Sequence, residues 1–338
     1  MRIPAPSYDH LLALSDEIGT FEHADHAEPR REHGYCTDDV ARVLIVVARE
    51  PRPGPDLVAL GDTSFRFLAD AMGADGRTRN RRSAVGHWQG TRTVEDCWGR
   101  SVWAFGTAAR RSSDPWMHRR ALADFDRGAG QRSPWRRSMA FAALGAAEVL
   151  ALDPYHVRAR ALLADAAATI GPAGPDPDWP WPEPRLAYAN AVLPDALLAA
   201  GDLLGRPDVV DEGLTMLRWL LTRETVDGHL SPTPVDGSGP GDRAPAFDQQ
   251  PIEVAAMADA CARAVAVTGD DSWRDGIARA AQWFAGANDA AAVMWDPLTG
   301  GGYDGLQQSG PNLNQGAEST LALISTLQHA CLLEPVAG

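Results

Sequence analysis

The chain has 338 residues, 45% of them apolar and 22% charged, so it is globular and long enough to bury a sizeable core. A formal charge of -14 and a pI near 5.0 argue against nucleic acid and anionic membrane surfaces as partners. All 31 cationic residues are arginine, which excludes a lysine Schiff base and the lysine of a Walker-type phosphate loop.

Helical periodicity dominates the chain. It predicts helices over 7–18, 38–50 and 56–72, the last two separated by Pro51, Pro53 and Pro55. A Gly/Arg-rich loop over 73–92 follows, with a small β-hairpin around 77–88. The fourth helix starts at Val94, the fifth covers 114–127, the sixth 134–152 and the seventh 154–169. A Pro/Trp loop over 171–184 leads to the eighth, 186–204, and the ninth spans 207–224. A loop of Gly, Pro and Asp over 226–247 precedes the tenth, 250–268. The eleventh covers 270–286, and the loop 295–311 leads to the twelfth, 314–333.

The even-numbered helices are rich in Ala, Gly, Leu and Val around their whole circumference, the mark of a helix buried on every side. The odd-numbered ones carry charge on one face and read as an outer layer. Long loops precede the even helices and short connections follow them. The expected architecture is therefore all-α: one (α/α)6 toroid domain over 1–338, with every long loop at the N-termini of the inner helices. The N-terminus lacks a signal-peptide pattern, and no apolar run is long enough to span a bilayer. Cys36, Cys97, Cys261 and Cys331 form no CxxC pair, so free thiols in a cytoplasmic protein are expected.

Six polar segments meet at the loop-bearing end, and each supplies carboxylates, amides, an aromatic or an arginine. That is the inventory of a sugar-binding cavity. Cleavage of a glycosidic bond needs two carboxyl groups flanking it, one with a raised pKa to act as the acid. Asp39, Asp96, Glu253 and Glu318 lie inside apolar helix starts, where an unpaired carboxylate is costly, and are the expected catalytic set, with Glu183 in reserve. Pairing with Arg42, Arg100 or Arg137 in a buried structural network is the alternative for the same acids. Asp38 and Glu95 belong to the expected binding set, and helix capping explains each about as well as catalysis does; Asp195 is a further candidate acid. Arg100 and Arg137 are expected to orient the carboxylates. Tyr35, Trp98, Trp181 and Tyr303 are expected to stack on sugar rings. His33, Asn190, Gln249, Gln250, Asp304, Asn314 and Gln315 complete the expected binding set. No metal or other cofactor is expected, because His33, His87, His118, His156 and His229 lie in different loops.

Five motifs in register resemble a family of glycosidase-like (α/α)6 domains, often fused to or encoded beside bacterial glycosyltransferases. They are HGYCTDDVARVL from His33, VEDCWGRSVWAFG from Val94, WPWPE with YANAVLPDALL from Trp179, FDQQPIEVAAMADA from Phe247, and GGYDGL with NLNQGAESTLALI from Gly301. Sequences of that type carry W-F-E and Y-D-N-A-R-L-P-E in the fourth segment. Here Pro182 replaces Phe, Ala189 replaces Asp and Asp195 replaces Glu. The resemblance implies a carbohydrate-active six-hairpin toroid and no particular bond, while the paired carboxylates point to hydrolysis or phosphorolysis of a glycosidic bond in an oligosaccharide or glycoside. A non-catalytic glycan-binding partner of a glycosyltransferase is the alternative. A sugar epimerase would use the same toroid with histidine pairs, for which only His33 speaks.

Overall fold

The structure is a computed structural model and describes residues 4–112 and 114–333. Within them the chain forms α1 (Asp9–Ala13), α2 (Thr37–Arg49), α3 (Pro55–Ala71), α4 (Asp96–Arg111), α5 (Pro115–Gly128) and α6 (Arg136–Leu152). The second half gives α7 (Val157–Ile170), α8 (Val192–Leu204), α9 (Pro207–Arg223), α10 (Pro251–Thr268), α11 (Arg274–Phe284) and α12 (Ala317–Cys331). The starts and stops follow helix chemistry. Proline opens α3, α5, α9 and α10, where its missing N–H costs no helical bond. Left-handed Gly205 and Gly269 close α8 and α10.

The even helices form the inner ring. Each of α2, α4, α6, α8 and α10 packs on the next, and α12 returns to pack on α2. Outside, α3 covers α2, α5 covers α4, α7 covers α6 and α8, α9 covers α8, and α11 covers α10 and α12. This is the expected (α/α)6 toroid. Among the described residues no helix is long and apolar enough to cross a membrane.

Among the helix boundaries that differ from expectation, three have a clear local setting. The first helix stops at Ala13 because Asp16 turns the chain, its side chain accepting the N–H groups of Ile18 and Gly19. The eighth begins at Val192 rather than 186: Leu186 pairs with Ser238, and Ala189 takes a left-handed φ of 45°. The eleventh opens with a 3-10 turn, Asp271–Trp273, before α11. The hairpin expected around 77–88 forms between strands Arg81–Arg82 and Trp88–Gln89, and Tyr35–Cys36 adds a third strand to it. Three further two-stranded pairs lie in the loops before α2, α10 and α12.

Candidate active site

The N-termini of the inner helices open onto a cleft of about 430 Å³. Helix α2 contributes Asp38, Asp39 and Arg42, α4 contributes Asp96 and Arg100, and α12 contributes Glu318 and Ser319. Loops add Glu22, His23, Asn80, Arg81, Tyr188, Gln250, Asp304 and Asn312. Arg42 organises the floor. One terminal nitrogen donates to Asp39 Oδ1 at 2.6 Å and the other to Glu318 Oε2 at 2.6 Å. The two acids differ sharply in environment, since the Asp39 side chain is 5% exposed and that of Glu318 41%. Burial pushes the Asp39 carboxyl up to about 7 against the pull of Arg42, and Glu318, Glu22 and Asp38 add to the rise by repulsion.

The second wall is built on Arg100. Its guanidinium lies 3.4 Å from Asp38 Oδ1 and 3.8 Å over the Phe141 ring. Burial, and then repulsion by Arg42, lower its pKa to about 10, so it remains a cation at neutral pH. Asp96 accepts a hydrogen bond from Ser138 Oγ at 2.6 Å; burial raises its carboxyl, and that bond opposes the rise. Asp304 accepts from Gly316 N–H at 2.8 Å and Ser319 Oγ at 2.9 Å, and burial likewise raises it. Cys36 lines the cleft, but burial, with Asp38 and Asp39 beside it, pushes its thiol well up, which leaves it a poor nucleophile. Beneath the cleft, and sharing Arg42 and Arg100 with it, the barrel axis holds an apolar cavity of about 50 Å³ walled by Trp103, Phe141, Leu144 and Leu321.

Among the described residues, one group of three could offer atoms to a metal ion. Glu22, Cys36 and Asp39 have ligand atoms within 4.8 Å of one another. Guanidinium groups already serve the two carboxylates there, Arg81 on Glu22 and Arg42 on Asp39.

The structure brings together Asp38, Asp39, Asp96, Arg100, Gln250, Asp304 and Glu318 of the expected set. The others lie elsewhere, each for a local reason. Tyr35 is buried against Phe21 and donates to Asp16. Trp98 is enclosed in the core and donates to Gly128 O at 3.1 Å, and Trp181 is packed on Trp219. Neither ring is open to a sugar. Tyr303 packs against the core beside the isolated bridge between Trp295 and Gly302. Glu95 is exposed at the N-cap position of α4 and accepts from Thr93 Oγ1. Gln249 is sealed among Asp289, Ser231 and Trp283, and Gln315 between Thr299 and Asp296. Asn314 receives the His26 N–H. His33 is exposed and meets His23 edge to face at 5.1 Å. Asp195 is buried under the ring, paired with Arg263.

Glu253, Glu183, Arg137 and Asn190 form a separate buried network. Arg137 donates to Glu183 Oε1 at 2.9 Å, to Asn190 Oδ1 at 3.1 Å and to the Tyr188 carbonyl. Glu253 accepts the N–H groups of Ala189 and Asn190 and the Asn190 side-chain amide. Burial, and then repulsion from Glu224, raise Glu253 to about 8 against those hydrogen bonds. Glu253 and Glu183 thus hold loop structure, and line no part of the cleft.

Sequence reasoning passed over Glu22, His23, Asn80 and Arg81 as cleft residues. They enter from hairpins and turns far along the chain from the helix starts they face. Arg42 was legible, three residues after Asp39 on one helical face.

No protein-family profile and no curated protein matches the chain. Solved structures do. A sugar epimerase from a ruminal bacterium aligns over 97% of this chain and 96% of its own, with a TM-score of 0.71 and 11% identity. A cellobiose 2-epimerase from Spirochaeta thermophila aligns over 96% and 93%, at 0.68 and 14%. An inactive double-aspartate variant of an alpha-1,6-mannanase from Salegentibacter, solved with mannotetrose, aligns over 96% of each chain, at 0.63 and 9%. The fold is the six-hairpin toroid. At these identities the likeness is one of fold, and the chemistry rests on this chain's own cleft.

Proposed function

We propose that the protein is a carbohydrate-active enzyme that hydrolyses a glycosidic bond of an oligosaccharide or glycoside. The observation that carries this reading is the pair on Arg42: a buried Asp39 carboxyl raised to about 7, and a partly exposed Glu318 across the same guanidinium. Two acids held in unlike environments are what bond cleavage at an acetal carbon requires. Asp39 gives its proton to the leaving oxygen. Glu318 is the second carboxylate, acting on the anomeric carbon directly or through water. Asp96 and Asp304 grip ring hydroxyls.

Six carboxylates face three guanidinium groups in the cleft, and each guanidinium is already paired with an acid. Such a surface repels phosphate, which favours hydrolysis over phosphorolysis. Epimerisation calls for an acid/base pair on opposite faces of a carbon. His23 is the one histidine among the lining residues, and it is exposed at the rim, which speaks against a histidine pair. The mannanase and the epimerases named above act on sugars, in keeping with a glycan ligand for this toroid.

The test is release of sugar from a panel of oligosaccharides and aryl glycosides. Asp39→Asn and Glu318→Gln are each expected to lower kcat by at least ~100-fold with the helical circular dichroism unchanged. The anomer of the first product, read by NMR, separates attack by water from attack by Glu318. Saccharide binding without turnover across the panel would overturn hydrolysis and support a glycan-binding scaffold, such as a glycosyltransferase partner.

A further inference from the structure

Tyr188 is 39% exposed, and it is the aromatic residue among those lining the cleft. It stands on a short turn before α8 that belongs to no helix or strand. The next residue, Ala189, has a φ of 45°, a left-handed conformation that alanine seldom adopts. What holds this turn comes from two neighbouring inner helices. From α10, Glu253 accepts the Ala189 and Asn190 N–H groups and the Asn190 amide. From α6, Arg137 donates to the Tyr188 carbonyl and lies 5.4 Å over the Tyr188 ring. Asn190 Oδ1 closes the turn by accepting the Ala187 N–H at 2.9 Å. Glu253 is 5% exposed and its acceptors are spent on this one turn.

We propose that Tyr188 is the sugar-stacking platform of the cleft, and that Glu253 is a positioning residue that fixes the left-handed turn presenting it. One ring face meets Arg137, so the platform is a tyrosine backed by a cation, which leaves the other face for the apolar side of a pyranose. This rests on the reading of the cleft as a glycan site. It gives Glu253 a role in binding that acts wholly through Tyr188.

Calorimetric titration of the full-length protein carrying Asp39→Asn with cellotetraose and mannotetraose tests the proposal without turnover. Tyr188→Ala is expected to weaken binding of the sugar that binds about tenfold, and Tyr188→Phe by less than about twofold, since the ring and not the hydroxyl makes the contact. Glu253→Gln should match Tyr188→Ala, because the amide nitrogen, unlike either oxygen of a carboxyl group, cannot accept from the N–H it would face. The two changes together should be no worse than either alone. Adding Ala189→Gly to Glu253→Gln should recover much of the loss, because glycine keeps the left-handed turn without help. Tyr188 is on the surface, so its variants report even if Glu253→Gln melts early. Unchanged binding by Tyr188→Ala, multiplying effects of the two changes, or no binding of either sugar would overturn the proposal. Binding that depends on Tyr188 in a wild-type protein that cleaves nothing would sink hydrolysis and leave the platform standing.

Discussion

Asp39 lies in the first turn of α2, one residue after Asp38, yet the two carboxylates meet different surroundings. Asp38 is half-buried beside Arg100, while Asp39 is enclosed and shares Arg42 with Glu318. A group held near pH 7 is protonated through the mildly acidic range and ionised above it. In the hydrolysis proposed above Asp39 is the acid and must carry its proton, so kcat is expected to fall as pH rises through about 7. The slope should approach tenfold per pH unit on the alkaline side. A pH–rate profile from 5 to 9 checks this, and an alkaline limb well above pH 8 would remove Asp39 from the role.

The helices are held where they are by the size of what lies between them. Helices α4 and α6 approach backbone to backbone at Gly99, Gly106 and Gly145. A Cβ on Gly145 would stand 2.3 Å from the Val102 carbonyl oxygen, and one on Gly106 2.3 Å from that of Gly145. Neither neighbour is the movable end of a side chain, so the helices themselves would have to part. Gly145→Ala is therefore expected to destabilise the protein by ~2–3 kcal/mol, although it raises helix propensity. Chemical denaturation measures this, and a neutral or stabilising change would show that the ring is more compliant than its packing suggests. Arg100 and Ser138, which shape the cleft, stand on these two helices, so activity should fall with stability.

Closing the ring also encloses carboxyls that an open chain would leave in water. Asp39, Glu224 and Glu253 are each 5% exposed or less, and burial raises them to about 7, 7 and 8. Each therefore binds a proton more tightly when folded than when unfolded, where an ordinary value of about 4 applies. Their protonated forms favour the native state at low pH, and that advantage is lost as pH climbs toward 8. The melting temperature is expected to drop by roughly 5 °C between pH 5 and 8.5, and Glu253→Gln should flatten the trend. A melting temperature that rises over this range would contradict the assignment of these groups.

The toroid was legible in the sequence. The apolar circumference of α6, α8 and α10, against the one-sided charge of α3 and α9, separates inner from outer helices by the free energy of burial alone. The alternation of long and short loops then places the polar segments at one end. Asp39, Arg42, Asp96 and Glu318 could be read because a helix start fixes direction: a residue in the first turn of an inner helix faces the mouth of the ring. Direction along an axis is not rotation around it, however. Glu253 occupies the same kind of position on α10 as Asp39 does on α2, yet it turns sideways to the Ala189–Asn190 backbone. Trp98 and Trp181 carried no local mark that they would be walled in. Glu22, Asn80, Arg81 and Tyr188 reach the cleft through loops whose course depends on distant pairings, such as Tyr35 with Arg82 and Leu186 with Ser238. Sequence periodicity by itself determined which helices are buried and which end bears the site. Only the tertiary structure decided which carboxylates share a cavity, because rotation about a helix axis and loop paths are set by contacts between residues far apart in the chain, 64 for Glu253 with Ala189 and 276 for Arg42 with Glu318.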